Sequence, residues 1–67
     1  MKMTYDKEAD AAYIYLKEIA PKEVRDTIEL NENIILDFDS QKRLIGIEIL
    51  SASKAIPKGA VVTTQTA

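Results

Sequence analysis

The chain has 67 residues, 46% of them hydrophobic, with nine basic and eleven acidic side chains and a net charge of −2. It is long enough for one small domain, which buries only about 60% of the surface its unfolded form exposes. With no cysteine and no histidine, disulfides and Cys/His zinc sites are excluded as staples, and association with another subunit is the expected source of added stability.

Residues 2–5 alternate polar and apolar (Lys2, Met3, Thr4, Tyr5), as a half-buried strand does, and the polar turn "DKEAD" follows. "AAYIYLK" (11–17) places Ala12, Ile14 and Leu16 on one face and Ala11, Tyr13, Tyr15 and Lys17 on the other. Helical phase over residues 8–20 would instead group Ala9, Ala12, Tyr13, Leu16 and Ala20. The Tyr-Ile-Tyr run and Pro21 favour the strand. "VRDTIEL" (24–30) alternates most clearly, with Val24, Ile28 and Leu30 on one face. Asp26 interrupts that face, which puts it at a sheet margin or bulge. "NEN" supplies turn residues. Ile34, Leu36 and Phe38 then share a face, as do Ile45, Ile47 and Ile49, with Leu44, Gly46, Glu48 and Leu50 opposite the second set. Ser51 is placed to cap a short helix, "ASKAI", which Pro57 ends. The expected domain is 1–57; the tail, 58–67, is an edge strand or disordered.

This pattern predicts a mainly β (α+β) fold, an antiparallel β-meander of about five strands with one short C-terminal helix. The longest apolar runs are too short to span a bilayer, and the polar start "MKMTYDKEAD" has no signal-peptide core. The lack of cysteine fits the cytoplasm. Basic residues are scattered among the acids, without the one-sided footprint that nucleic acid demands, so neither membrane nor nucleic acid is an expected partner.

The stretch "DFDSQKRLIGIE" has the Asp37, Asp39, Gln41 and Glu48 spacing of a calcium loop, but Lys42 stands where such a loop turns on glycine, and its flanks read as strands. The structural reading is a charged hairpin, with Asp39, Ser40 and Gln41 forming the turn and Lys42 and Arg43 within reach of Asp37 and Asp39. A weak divalent-cation site or a carboxylate enzyme using Asp37, Asp39 and Glu48 is the least favoured function. Ser51 and Ser53 have no histidine to activate them, and only Gly46 and Gly59 are available for phosphate loops. The expectation is therefore no enzyme, with no catalytic, cofactor-binding or metal-binding residues.

Two segments, Tyr5, Asp6, Asp10, Ala11, Tyr13 and then Asp37, Asp39, Leu44, Ile45, Gly46, Ile47, Glu48, Ile49, Leu50, Ala52, Ser53, together resemble the small bacterial and archaeal family of unknown function DUF2283. The resemblance covers roughly residues 2–56. It implies a mostly antiparallel β-domain with a short terminal helix, and no established activity. Members encoded beside small toxin-like proteins imply an antitoxin-like or accessory role as the runner-up function. Lys42 departs from the family's pattern, which has glycine there, and is read as a different turn geometry.

Glu48 either faces solvent or, if its face is covered, needs a cation from Lys17, Arg25 or a partner chain. Gly46 marks a bulge or a close backbone approach. Tyr13 and Tyr15 offer the amphipathic area enriched at interfaces, or simply cover a sheet. The candidate recognition residues are Tyr13, Tyr15, Gly46, Ile47 and Glu48. Both faces of residues 33–50 carry apolar side chains, more than one helix can cover, so the leading expectation is a protein-interaction module. Its expected partners are itself, as a homodimer or higher homo-oligomer, and possibly another small protein.

Overall fold

The computed structural model describes residues 1–57, 59–60 and 65–66. Wherever the sequence alternates, a strand forms: β1 (Lys2–Asp6), β2 (Ala11–Tyr15), β3 (Asp26–Glu29), β4 (Ile34–Phe38) and β5 (Leu44–Leu50). A single-turn helix α1 (Ala52–Ala55) and a two-residue strand β6 (Gln65–Thr66) follow. Five antiparallel strands in one sheet plus the short helix make the fold mainly β. The helical alternative for residues 8–20 gives way to a strand at Ala11–Tyr15, because β2 is hydrogen-bonded on both sides, to β1 and to β5. Within the tail, residues 58, 61–64 and 67 lie outside the described residues, and Gln65–Thr66 run parallel to β1 at Thr4 and Tyr5.

The sheet order is β3-β4-β5-β2-β1-β6. A hairpin (β1–β2) and a three-stranded meander (β3–β5) are thus joined through an antiparallel β2–β5 contact, and residues 16–25 carry the chain from the sheet's middle to its edge. Putting β2 beside β5 brings their most apolar faces together. Ala12, Ile49 and Ala52 are buried at 3%, 4% and 0% exposure. Met3, Tyr5, Ile14, Ile34, Ile47 and Ile56 pack around them. Two alanines at this contact let α1 lie close to the strands. Ile47, expected in the recognition set, belongs to this helix-covered face.

The turns are built by side chains accepting backbone N–H groups. Asp6 Oδ1 accepts from Glu8 and Ala9 at 3.0 and 3.3 Å. Asn31 Oδ1 accepts from Asn33 and Ile34, each at 2.8 Å. Asp39 Oδ1 accepts from Gln41 and Arg43, each at 2.9 Å, and Arg43 Nε donates to Asp39 Oδ2 at 3.0 Å. The β4–β5 link is the charged hairpin read from its residues, with Asp39 only 6% exposed.

Within that hairpin Lys42 adopts φ 63, the left-handed conformation that glycine takes freely and that costs another residue roughly 1–2 kcal/mol. Two local expectations change. Of the two aspartates, only Asp39 pairs with a basic residue of the turn; Asp37 is held by Tyr13 and Thr27. Ser51 occupies the helix N-cap position but, at φ 52, makes no side-chain capping bond. The cap comes from 43 residues away: Asp10 accepts Ser53 N–H at 3.0 Å and Ser53 Oγ–H at 2.7 Å. Its backbone oxygen accepts Ala52 N–H at 2.8 Å. The helix ends where Ile56 turns extended (φ −125, ψ 160), as a residue before proline must.

Candidate functional site

The face of the sheet opposite α1 is covered by no other helix or strand among the described residues. Strand register lines up one row across it. Lys2 stands opposite Tyr15, Tyr15 opposite Gly46, Gly46 opposite Asp37, and Asp37 opposite Thr27. Gly46 leaves a gap in the middle of that row, and Tyr13, from the neighbouring row, fills it. A Cβ on residue 46 would lie 2.1 Å from Tyr13 Oη, so the ring rests directly on the glycine backbone. From there Tyr13 Oη–H donates to Asp37 Oδ2, while Thr27 Oγ1–H donates to Asp37 Oδ1 at 2.9 Å. Tyr13 and Tyr15 touch at 4.7 Å between ring centroids, tilted by 52°. Lys2 Nζ sits 4.8 Å from the Tyr15 centroid, a cation–π contact. The result is a continuous stripe of aromatic, cationic and anionic groups spanning five strands.

Glu48 shares this face, opposite Tyr13 and Ile35, and is half-buried. No ion pair reaches it among the described residues; Lys17 is bonded to Glu23 instead. Of the recognition residues expected from sequence, Tyr13, Tyr15, Gly46 and Glu48 therefore come together, while Ile47 lies behind them. Lys2, Asp37 and Thr27 complete the stripe. In the sequence Asp37 reads only as a neighbour of the charged turn or a carboxylate partner. Period-2 alternation does place Tyr13 on Gly46's side of the sheet, but nothing local shows that its hydroxyl reaches across to β4.

Asp37, Asp39 and Glu48 do not converge. No group of three or more metal-ligating side chains occurs among the described residues. A shallow depression of about 260 Å³ beside the stripe is lined by Met1, Lys2, Tyr15, Lys17, Glu18 and Ile19. It is smaller than the ~300 Å³ at which small-molecule sites begin.

A second cluster lies at the helix. Tyr5 Oη–H donates to Asp10 Oδ1 at 2.7 Å, so Asp10 links β1, the first hairpin and α1. Hydrogen bonds from Ser53 and then Tyr5 hold the Asp10 carboxyl below its ordinary 3.8. The Arg43 backbone N–H, foremost, does the same for Asp39, and Lys17 does so for Glu23. Carboxylates with lowered folded-state values contribute stability that is present above about pH 4 and lost as pH falls through those values. The tyrosines act in the opposite sense. Burial, then the bond to Asp37, raises Tyr13 above its ordinary 10.0, and the bond to Asp10 raises Tyr5. Their contribution is complete below about pH 10 and lost as pH rises beyond it. Thermal melting from pH 2 to pH 11 should therefore show a plateau between two falling limbs. Asp10→Asn should flatten the acid limb by several degrees and Tyr13→Phe the alkaline one; limbs identical to wild type in both variants would refute these assignments.

No curated protein and no solved structure matches the chain. The family model described as a protein of unknown function, DUF2283, matches residues 2–53. That span holds both ends of the Asp10–Ser53 bridge and the whole Tyr13–Gly46–Asp37 arrangement, and the chain belongs to the DUF2283 family.

Proposed function

We propose that this chain is a cytoplasmic, self-associating protein-interaction module without catalytic activity, and that the open sheet face is its recognition surface. The observation behind this reading is the Lys2–Tyr15–Tyr13–Asp37–Thr27 stripe. Tyrosines supply large, stiff contact area, and the bond to Asp37 holds Tyr13 in place before any partner arrives, which lowers the ordering cost of binding. Glu48 adds a half-buried carboxylate without a cation, which a basic group on a partner would satisfy. A non-catalytic reading is supported by Tyr13 and Asp37 being committed to each other and by the depression beside the stripe being shallow and small.

The test is native mass spectrometry on protein isolated gently from its own cells, comparing wild type with a Tyr15→Ala/Glu48→Lys variant. Wild type should retain an added protein mass that the variant loses, with both melting within a few degrees of each other. A small basic partner would make the role antitoxin-like. Wild type and variant carrying identical masses would sink the reading.

A further inference from the structure

We propose that two copies of this chain join edge to edge through β3, antiparallel, with the two-fold axis passing through Thr27, to make one continuous sheet. This rests on the self-association in the reading above and names the surface that performs it. The two sheet margins differ. On one, β1 is partly paired by β6. On the other, β3 pairs only with β4, all four of its residues are exposed, and Ile28 and Leu30 are 50% and 63% exposed. A free edge with exposed apolar side chains is a template for another strand.

The phase of the ladder limits the possible registers. Leu30 N–H donates to Ile34 O at 2.8 Å, so Leu30 and, by alternation, Ile28 aim their backbone groups at β4. Thr27 and Glu29 aim theirs outward; Arg25, just before the strand, turns its N–H in to Phe38 O at 2.9 Å, so it meets a partner through its side chain alone. Outward residues must meet outward residues, which leaves four symmetric choices, one centred on each residue of β3; an axis at Glu29 sets Glu29 against the partner's Glu29. An axis at Asp26 sets Asp26 against the partner's Asp26. An axis at Ile28 sets Arg25 against the partner's Asn31 and Thr27 against the partner's Glu29. An axis at Thr27 sets Arg25 against the partner's Glu29 at both ends, and Val24 against the partner's Leu30. Only that last register pairs opposite charges directly, and neither Arg25 nor Glu29 has an ion-pair partner within the chain among the described residues. Across the axis the two Thr27 residues exchange N–H···O=C bonds, and the two Ile28 side chains become diagonal neighbours. Because the open-face stripe ends at Thr27, the same register makes it continuous across both subunits.

Sedimentation equilibrium on the full chain tests this, with R25E, E29R and R25E/E29R, each checked for fold by circular dichroism. The interface is below standard size, so wild type should dimerise with a dissociation constant on the order of micromolar. Each single reversal creates two like-charge contacts by symmetry and should weaken the dimer about tenfold. The double reversal should recover to within about threefold of wild type, since only in the Thr27 register do the two changes face each other. Single reversals without effect, or no recovery in the double, overturn the proposal. The Tyr15→Ala/Glu48→Lys variant should keep the wild-type dimer. If it instead dissociates while the charge reversals do not, the open face is the self-contact, which overturns the edge and leaves the interaction module standing. A wild type that stays monomeric at hundreds of micromolar overturns the edge and self-association together.

Discussion

Gly46→Ala is expected to destabilise the protein by about 1–2 kcal/mol, although it adds only one methyl group, because Gly46 is buried beneath the Tyr13 ring. The new Cβ would lie 2.1 Å from Tyr13 Oη, 2.6 Å from Cζ and 2.8 Å from Cε1, so the ring must leave. Its bond to the Asp37 carboxylate goes with it, a loss of roughly 1.5–3 kcal/mol for a hydrogen bond to a charged group. Removing glycine's excess backbone entropy returns about 0.5–1 kcal/mol. In a chain this short the net loss lowers the melting temperature by about 4–8 °C per kcal/mol. The cause is separable by a double-mutant cycle. In a Tyr13→Phe background the bond is already gone, so Gly46→Ala should cost about 1 kcal/mol less there. Strict additivity of the two changes would show that the glycine is not there to seat the tyrosine.

Ile49→Ala should cost more, about 2–4 kcal/mol, as is usual for removing a buried isoleucine. Ile49 is 4% exposed and meets Ala12 and Ala52 where β2, β5 and α1 join. Set against a total of roughly 0.05–0.15 kcal/mol per residue, that loss removes a large share of the fold's stability. A urea titration should show the midpoint fall steeply for Ile49→Ala and much less for Ile35→Ala, whose side chain is half-buried on the open face. Equal losses at the two positions would mean that the core does not lie on the helix side alone.

The two variants probe opposite faces of one thin sheet, and the contrast explains why self-association belongs to the proposal. Among the described residues, only Ala12, Ile45, Ile49 and Ala52 of the hydrophobic ones are buried, and no large side chain is fully enclosed. A chain so thinly packed gains from any partner that covers its remaining apolar surface.

Much of this was legible in local pattern. The strand 44–50 coincides with its alternating run, and the turn residues Asn31 and Asp39 act by the mechanism their chemistry predicts. The two-faced placement of Tyr13, Tyr15, Gly46 and Glu48 follows from period 2 alone. The stripe was legible only in part: alternation already sets Ile47 on the face away from Gly46 and Glu48, but Lys2, Asp37 and Thr27 join the stripe only through register.

What the residues determined unaided is therefore the strands, their faces and their turns, because side-chain alternation and turn propensity depend on near neighbours. The tertiary structure decided which strands are adjacent, since burying Ala12 against Ile49 and Ala52 is a contact between distant segments. It likewise decided that Asp10 rather than Ser51 caps the helix. And it decided that Tyr13 crosses Gly46 to reach Asp37, because only the assembled sheet sets a glycine from one strand between a hydroxyl and a carboxylate from two others.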